Sequence, residues 1–456
     1  MQEIGRDVLR LKRKLAEGQL TPLREILTDA DVKAACHAVG HGHRERLFTP
    51  LVTLWSLIGQ SLYPDPSCRA AVARVLATLG DAETSGDTGA YCKARGRLPE
   101  RLIEELVVSV AARLEKRVPP EQLWLGRRKV RLLDATGIAT QDTADLVQAF
   151  GLPPHTKEGV GFPVVHVAGL VSWSTGAVLA AAMGALRYHE RHLGRELWAY
   201  LDPGDVLVGD SGFGSYAEIA LLKAQEVDGV FRINNTRGVD FRRGERLGDG
   251  DHLVTWKRPA VRPAWLPKDI ELPETITLRE IRFTVEVPGF RPEEIVLVTT
   301  LLDPNAFPKE EIAKLFRDRW EIEIDFRHIK VTMGMEPLRG KSPAMARKEV
   351  WAHLLAYNLI RTLMWQASRK HHVPALRISF KGAIQRVLAW TSPMAHLPAQ
   401  RLPDLYRELL ARVAEDIVPS RPNRIEPRCR KRRPKNYPLL TVSRHVARQC
   451  LLRKSA

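Results

Sequence analysis

The sequence predicts a mixed α/β protein: a mixed sheet with a β-rich insertion, flanked by helical N- and C-terminal regions. Three observations predict it. Apolar residues recur at helical spacing from residue 7 to about 116. After Pro120, short apolar runs bounded by Gly, Asp and Pro follow the order strand, strand, strand, helix, strand, helix, strand. From Pro308 onward the helical period returns.

The elements follow in order. "RDVLRLKRKLAEG" is a helix with Gly18 as its cap, and "TPLREIL" offers Thr21 as N-cap with Pro22 at the first helical position. "ERLIEELVVSVAARLEKRV" is a long amphipathic helix stopped by Pro119 and Pro120. "RRKVRLLDATG" is a short strand ending in Asp134, and further strands are expected at 164–171 and 177–182. The apolar stretch 162–186 contains His166 and the turn-like "SWSTG", so it reads as two buried strands and not as a lipid-spanning helix. "HERHLGRELWAYL" is a helix, "DVLVGDSGFG" a strand ending in Asp210, "YAEIALLKAQEV" a helix and "GVFRINN" a strand. Residues 237–300, rich in Pro, Gly and β-branched side chains, form a small antiparallel insertion before the next helix. That helix, "PKEEIAKLFRDRW", starts with Pro308 and two acids that suit the helix dipole. "KEVWAHLLAYNLIRTLMWQASRK" is a strongly apolar helix. The expected organisation is a helical region at 1–120, an α/β region with the insertion at 121–345, and a helical region with a basic tail at 346–456.

Composition narrows the class. A chain of 456 residues with 44% hydrophobic and 27% charged residues reads as soluble and globular, with room for two or three domains. Its formal net charge of +17 points to a polyanionic partner, nucleic acid first and an anionic membrane second. The stretch 421–456 carries twelve Lys/Arg against one Glu. Alone, it reads equally as a solvated tail. Five scattered cysteines without a CxxC pair argue for a reducing cytosol, and the N-terminus lacks the apolar core of a signal peptide.

Helical-wheel reasoning sorts "LFRDRWEIEIDFRHIK", residues 315–330, at 100° per residue. Leu315, Ile322, Phe326 and Ile329 form a buried stripe. Arg317, Asp318, Glu321, Asp325 and His328 form a solvated face. Arg319, Glu323, Arg327 and Lys330 line one edge with Phe316. The edge can be an i±4 ion-pair ladder worth roughly 0.2–0.5 kcal/mol per pair. It also suits phosphate handling, with the carboxylate holding a divalent metal and the cations holding a phosphodiester backbone.

Asp134 and Asp210 each end an apolar strand before small residues, "DATG" and "DSGFG". Alone, each reads as a turn-initiating Asp. On neighbouring strands the two carboxylates would converge at the strand ends, where α/β sheets build their sites. With Glu323 they offer all-oxygen ligation for Mg²⁺ or Mn²⁺. Two such ions, about 3.5–4 Å apart, would serve an in-line phosphoryl displacement.

Strand-Asp, strand-Asp and helix-Glu, with a β-rich insertion before the Glu helix, resembles the DDE transposases with a ribonuclease H-like core. More narrowly it resembles the IS4-type bacterial insertion-sequence group, whose pattern is Tyr, two residues, Arg, three residues, Glu, six residues, Lys. Here that spacing falls on Phe316, Arg319, Glu323 and Lys330. "LLDATG", "GFPVVHVAGLVS", "HERHLGREL", "GDVLVGDSGFGSY", "VLVTTLLDP" and "HLLAYNLIR" are similar to the same group, over roughly residues 124–369. The resemblance implies that Asp134, Asp210 and Glu323 are catalytic and hold the metal, and that Arg319 and Lys330 contact transposon-end phosphates. It also implies that the insertion holds the cleaved end, with Trp256 and Trp265 as candidates to stack on a flipped base. Phe316 departs from the family Tyr and lacks a phosphate-directed hydroxyl; Ser211 stands where relatives often have Arg. Arg232 and Arg237, just after a core strand, are in reach of DNA or are solvated charges. His189 and His192 in "HERH" lack a third metal ligand nearby, and His37, His41 and His43 read as loop or surface residues.

What the resemblance implies is a transposase that binds terminal inverted repeats, cleaves at the transposon ends and joins 3′ ends to target DNA. It would act as a homodimer on double-stranded DNA, with its helical N-terminal region binding the ends, in the bacterial cytoplasm at the nucleoid. A non-catalytic DNA-binding derivative or inhibitor of transposition, and a plain metal-dependent nuclease, are the alternative readings.

Overall fold

The structure, a computed structural model, describes residues 19–42, 46–79, 84–154, 156–157, 159–187, 190–234, 237–285, 292–419 and 439–454. The expected helix ending at Gly18, His43, His189 and the densest part of the basic tail lie outside these residues.

Nine strands form one sheet in the order β3-β2-β1-β4-β5-β9-β8-β7-β6. They are β1 (Val130–Ala139), β2 (Val164–Ser172), β3 (Val178–Ala185), β4 (Val206–Gly209), β5 (Asp228–Arg232), β6 (Glu245–Gly248), β7 (Asp251–Lys257), β8 (Thr275–Val285) and β9 (Glu293–Thr299). The first five are antiparallel across β3-β2-β1 and parallel across β1-β4-β5, the arrangement of a ribonuclease H-like core. The stretch 162–186 is the β2–β3 hairpin, as its turn sequence predicts. No described helix is long and apolar enough to cross a membrane. The insertion lies where expected, but it is not a separate block. Val230–Arg232 pair antiparallel with Leu297–Thr299, so β9 and then β8, β7 and β6 extend the core sheet.

Strand alternation divides the sheet's two faces. Val130 and Leu132 of β1, Val206 and Val208 of β4 and Val230 of β5 face one core. Leu133, Leu207 and Phe231 face the other. The second face is covered by α8 (Glu190–Glu196) and α9 (Tyr216–Ala224), which contribute Leu193, Tyr216, Ala217, Ile219 and Leu222. The first is covered by α10 (Lys309–Asp318), α11 (Trp320–Arg327) and α12 (Pro343–His371). A further short helix, α7 (Ala144–Phe150), joins β1 to β2; at seven residues it is too short to leave a periodic signal.

The N-terminal helices are α1 (Thr21–Arg24), α2 (Asp29–Ala38), α3 (Pro50–Leu62), α4 (Cys68–Leu79), α5 (Gly89–Arg97) and α6 (Glu100–Glu115). Thr21 is not the cap expected of it: Leu20 precedes α1 in a left-handed conformation with no side-chain cap. Leu54, Leu57 and Ile58 of α3 and Leu106 and Val110 of α6 share one core with α12 and the sheet. Asn358 of α12 ties three elements together. Its Oδ1 accepts from the Val178 N–H at 2.9 Å, and its Nδ2 donates to the carbonyls of Val178 at 2.8 Å and Val107 at 3.3 Å. A fully buried amide in an apolar helix is tolerated because it is saturated in this way. Beyond α12 lie α13 (Phe380–Ala395), α14 (Leu402–Glu415) and α15 (Arg444–Lys454).

Candidate active site

Asp134 and Asp210 each lie one residue beyond the last pair of two neighbouring parallel strands. The parallel register pairs Val130 with Val206 through Leu133 with Gly209, where β4 ends; Asp134 and Asp210 are the next residues of the two chains. Neighbouring strands are about 4.8 Å apart. Both positions continue the alternation of Leu132 and Val208, so both belong to the face under α10 and α11. Asp210 follows the end of β4 as expected, but Asp134 does not end its strand: β1 runs on to Ala139, because β2 pairs with it from Arg131 to Ala139. Asp134 Oδ1 accepts from Ala135 N–H at 2.8 Å and Asp210 Oδ1 from Ser211 N–H at 2.7 Å.

Glu323 comes from α11, which crosses the same face. Gly169 of β2 sits opposite Asp134, and a β-carbon at Gly169 would lie 3.0 Å from the Phe326 ring. The absent side chain lets α11 settle on the sheet at the level of Asp134. Arg319 lies between the two acids, with Nη1 3.6 Å from Asp134 Oδ2 and Nη2 3.7 Å from Glu323 Oε1. Both separations exceed hydrogen-bond length. Arg319 is buried and its Nε has no hydrogen-bond partner. The guanidinium therefore holds unspent donors at the centre of the site.

Burial is the largest influence on Asp134 and pushes its carboxyl up to about 6. Glu323 and Glu190 push in the same direction, against the Ala135 N–H and Arg319. Among the described residues, no three His, Cys, Asp or Glu side chains are gathered at metal-coordinating range. Glu323 is about half exposed and meets Asp134 through Arg319. The donor set still fits a hard divalent cation: every acid is an oxygen ligand, and the buried carboxyl is destabilised as an anion.

Lys330 lies two residues farther along β1. Its Nζ donates to Gly137 O at 2.8 Å and Thr136 Oγ1 at 3.3 Å and pairs with Glu336 at 3.1 Å. Arg327 is exposed on α11. Arg232 pairs with Glu293 at 2.8 Å.

Several expectations are corrected. Phe316 is 2% exposed and belongs to the core, with the Arg319 guanidinium 5.4 Å from its ring centroid; it backs Arg319 and has no face for DNA. Trp256 is also buried; its Nε1 donates to Glu280 at 2.8 Å and the Arg237 guanidinium covers its ring at 3.4 Å, so no base can stack there. Trp265 keeps 36% exposure, with Arg195 over one face at 4.0 Å. Asp325, expected in solvent, is buried and bonded to Arg361 of α12. Arg361 Nε in turn donates to Tyr357 Oη at 2.7 Å, and Tyr357 donates to Gly176 O at 3.0 Å in the β2–β3 turn. The wheel fails because 315–330 is not one regular helix. The chain steps at Arg319 between α10 and α11, and His328–Thr332 is a π-turn.

Two acids were not singled out by sequence reasoning. Asp325 was detectable from its partner, since an Arg in the apolar run "AYNLIRTL" needs a buried carboxylate. Glu190 stands in "HERH", where the histidines drew attention. It lies against the loop after Asp210: a β-carbon at Gly212 would be 2.6 Å from Glu190 Oε1. His192 is exposed and 3.5 Å from Glu196.

Comparison with known proteins gives the family. The family described as "Transposase DDE domain" matches residues 125–359, just over half the chain. The chain is 28% identical over 406 residues to the transposase InsG for insertion sequence element IS4 of Escherichia coli K12, covering 87% of this chain and 88% of that protein. It is 37% identical over 186 residues to the transposase for insertion sequence element IS421 of Escherichia coli, covering 34% of this chain and 50% of the relative. A solved piggyBac transposase synaptic complex with hairpin DNA is a distant likeness, at 9% identity and a TM-score of 0.45 over 86% of this chain and 84% of its own. This chain belongs to the DDE transposase family and is an IS4-type member of it.

Proposed function

We propose that this transposase binds the terminal inverted repeats of its element, cleaves DNA at the transposon ends and joins the freed 3′ ends to target DNA. The observation that supports this reading is that Asp134 and Asp210 each directly follow the last pair of the β1–β4 ladder, Leu133 with Gly209, while Arg319 stands between Asp134 and Glu323. Asp134, Asp210 and Glu323 are the residues that would hold Mg²⁺ or Mn²⁺. When bound, such ions supply Lewis-acid activation of the attacking hydroxyl and neutralise the leaving oxygen. Bringing Glu323 to the aspartates requires its side chain, half exposed on α11, to swing past Arg319.

The remaining work falls to cations of this chain. The unspent donors of Arg319 suit the non-bridging oxygens of the scissile phosphate. Lys330, anchored to β1 beside Asp134, gives a fixed positive charge on the DNA strand one step away. Arg327, exposed on the same helix, and Trp265 of the insertion are further DNA contacts. The partner is double-stranded DNA, and the two ends of an element call for a homodimer in the synaptic complex. The place of action is the bacterial cytoplasm, at the nucleoid.

A gel shift with the element's terminal sequence, paired with Mg²⁺-dependent nicking and strand joining of the same DNA, tests the proposal. Binding, nicking and joining are expected together. Binding without nicking identifies the chain as a non-catalytic DNA-binding derivative, and nicking without joining identifies a nuclease.

A further inference from the structure

A fourth carboxylate approaches the aspartates from the helix that covers the other face of the sheet. Glu190 opens α8, and Leu193, Gly194 and Leu197 follow it at helical spacing. All three are buried, so this stripe is the side of α8 that rests on the sheet. Gly194 lets the helix come close: a β-carbon there would lie 2.7 Å from the Phe213 ring and 3.3 Å from Leu133 Cδ2. Leu133 directly precedes Asp134. Phe213 closes the turn that starts at Asp210, its N–H donating to Asp210 O at 2.9 Å. The missing side chain at Gly194 therefore docks α8 against the two segments that carry the aspartates. Glu190, one turn earlier on the same stripe, comes to the end of both. Its Oε1 would lie 2.6 Å from a β-carbon on Gly212, two residues past Asp210, and its charge is felt at Asp134.

This is a costly place for a glutamate. A carboxylate set among other carboxylates raises the energy of the site unless a cation joins them. The nearby guanidinium groups have other work. Arg195 of α8 pairs with Glu218 at 3.0 Å and lies over Trp265, and Arg319 stands between Asp134 and Glu323. Among the described residues Glu190 has no hydrogen-bond or ion-pair partner. It is partly exposed, so a ligand can reach it. Glu196, at the far end of α8, shows the contrast: it is exposed and 3.5 Å from His192. An oxygen donor held against other oxygen donors suits a hard divalent cation.

We propose that Glu190 is a fourth carboxylate ligand of the divalent-metal site, reaching it from the turn after Asp210 while Glu323 reaches it from α11. The inference rests on the metal-site reading above and adds a ligand to it.

The test uses the full chain on a duplex carrying the element's terminal sequence. Mn²⁺ binding is read from loss of the free-ion spin-resonance signal, and thermal midpoints without metal check that each variant folds. Glu190→Gln, which keeps the shape and removes the charge, is expected to bind Mn²⁺ at least about tenfold more weakly. Glu190→Asp keeps the charge and withdraws the carboxylate by one methylene, and is expected to bind the ion at least about threefold more weakly. Glu196→Gln removes the same charge from the exposed side of α8 and is expected to match the wild type. If Glu190→Gln matches the wild type while Asp134→Asn loses the ion, this inference fails and the metal-site reading stands. Wild-type affinity in Glu190→Asp with loss in Glu190→Gln, or an equal loss in Glu196→Gln, shows that charge alone acts and overturns the ligand role. If the wild type takes up no Mn²⁺, or Asp134→Asn takes it up undiminished, the metal-site reading fails and this inference with it.

Discussion

Two carboxylates two residues apart on α11 sit in opposite circumstances. Glu323 is half exposed, and its Arg319 partner stands 3.7 Å away. Asp325 is buried and tied to Arg361, which is tied through Tyr357 to the β2–β3 turn. One side of the helix is anchored and the other is left under-bonded. The difference teaches how a site can be rigid in placement and free in ligation: the buried pair fixes where Glu323 stands, and loose pairing leaves its carboxylate and Arg319 available to a ligand.

Substitutions at five positions break or sharpen that contrast. The largest effect is expected at the free side, on chemistry. Glu323→Gln should lower end nicking by at least about 10³-fold, roughly 4 kcal/mol of barrier, with unchanged thermal stability and DNA binding. Single-turnover nicking and a gel shift measure this. The anchored side should answer in stability. Asp325→Ala or Arg361→Ala strands a buried charge at a cost of about 3–5 kcal/mol, whereas Asp325→Leu/Arg361→Met together should recover most of it, as urea unfolding would show.

Asp134 links the two. Burial holds its carboxyl at about 6 in the fold, above the value near 4 of an unfolded chain. The native state thus binds this proton more tightly, so the group favours folding at low pH and costs stability as pH climbs from about 4 to about 6. Asp134→Asn should therefore stabilise the metal-free protein above pH 6 by up to about 3 kcal/mol, a gain that fades towards pH 4 and shrinks when Mg²⁺ is added. Denaturation at several pH values checks both sign and window. The smallest effect is expected at Phe316. Phe316→Leu should cost about 1 kcal/mol of stability and change duplex affinity by less than about twofold, since the ring lies in the core.

What was legible in the sequence follows from physical range. The strands around Asp134 and Asp210 were readable because buried central strands are continuous apolar runs, and the spacing of Arg319, Glu323 and Lys330 was readable because it is local. The sheet's continuation from β5 to β9 was not, because pairing between Phe231 and Val298 leaves no trace in local pattern. Asp325 was misread because a wheel assumes one regular helix, and the chain steps at Arg319 and widens at His328. Trp256 was misread because an indole in a β-rich stretch looks the same whether it faces DNA or, as here, Glu280 and Arg237. The approach of Glu190 to Gly212 was invisible because it depends on where α8 docks.

The account's central claim is that Asp134, Asp210 and Glu323 form one divalent-metal site, although Arg319 now spans the space between two of them. Calorimetric titration of Mn²⁺ into the DNA-bound protein tests it most directly. The wild type should bind the ion, and Asp134→Asn, Asp210→Asn and Glu323→Gln should each weaken or abolish that binding. Undiminished Mn²⁺ binding by any one of the three variants would contradict the claim.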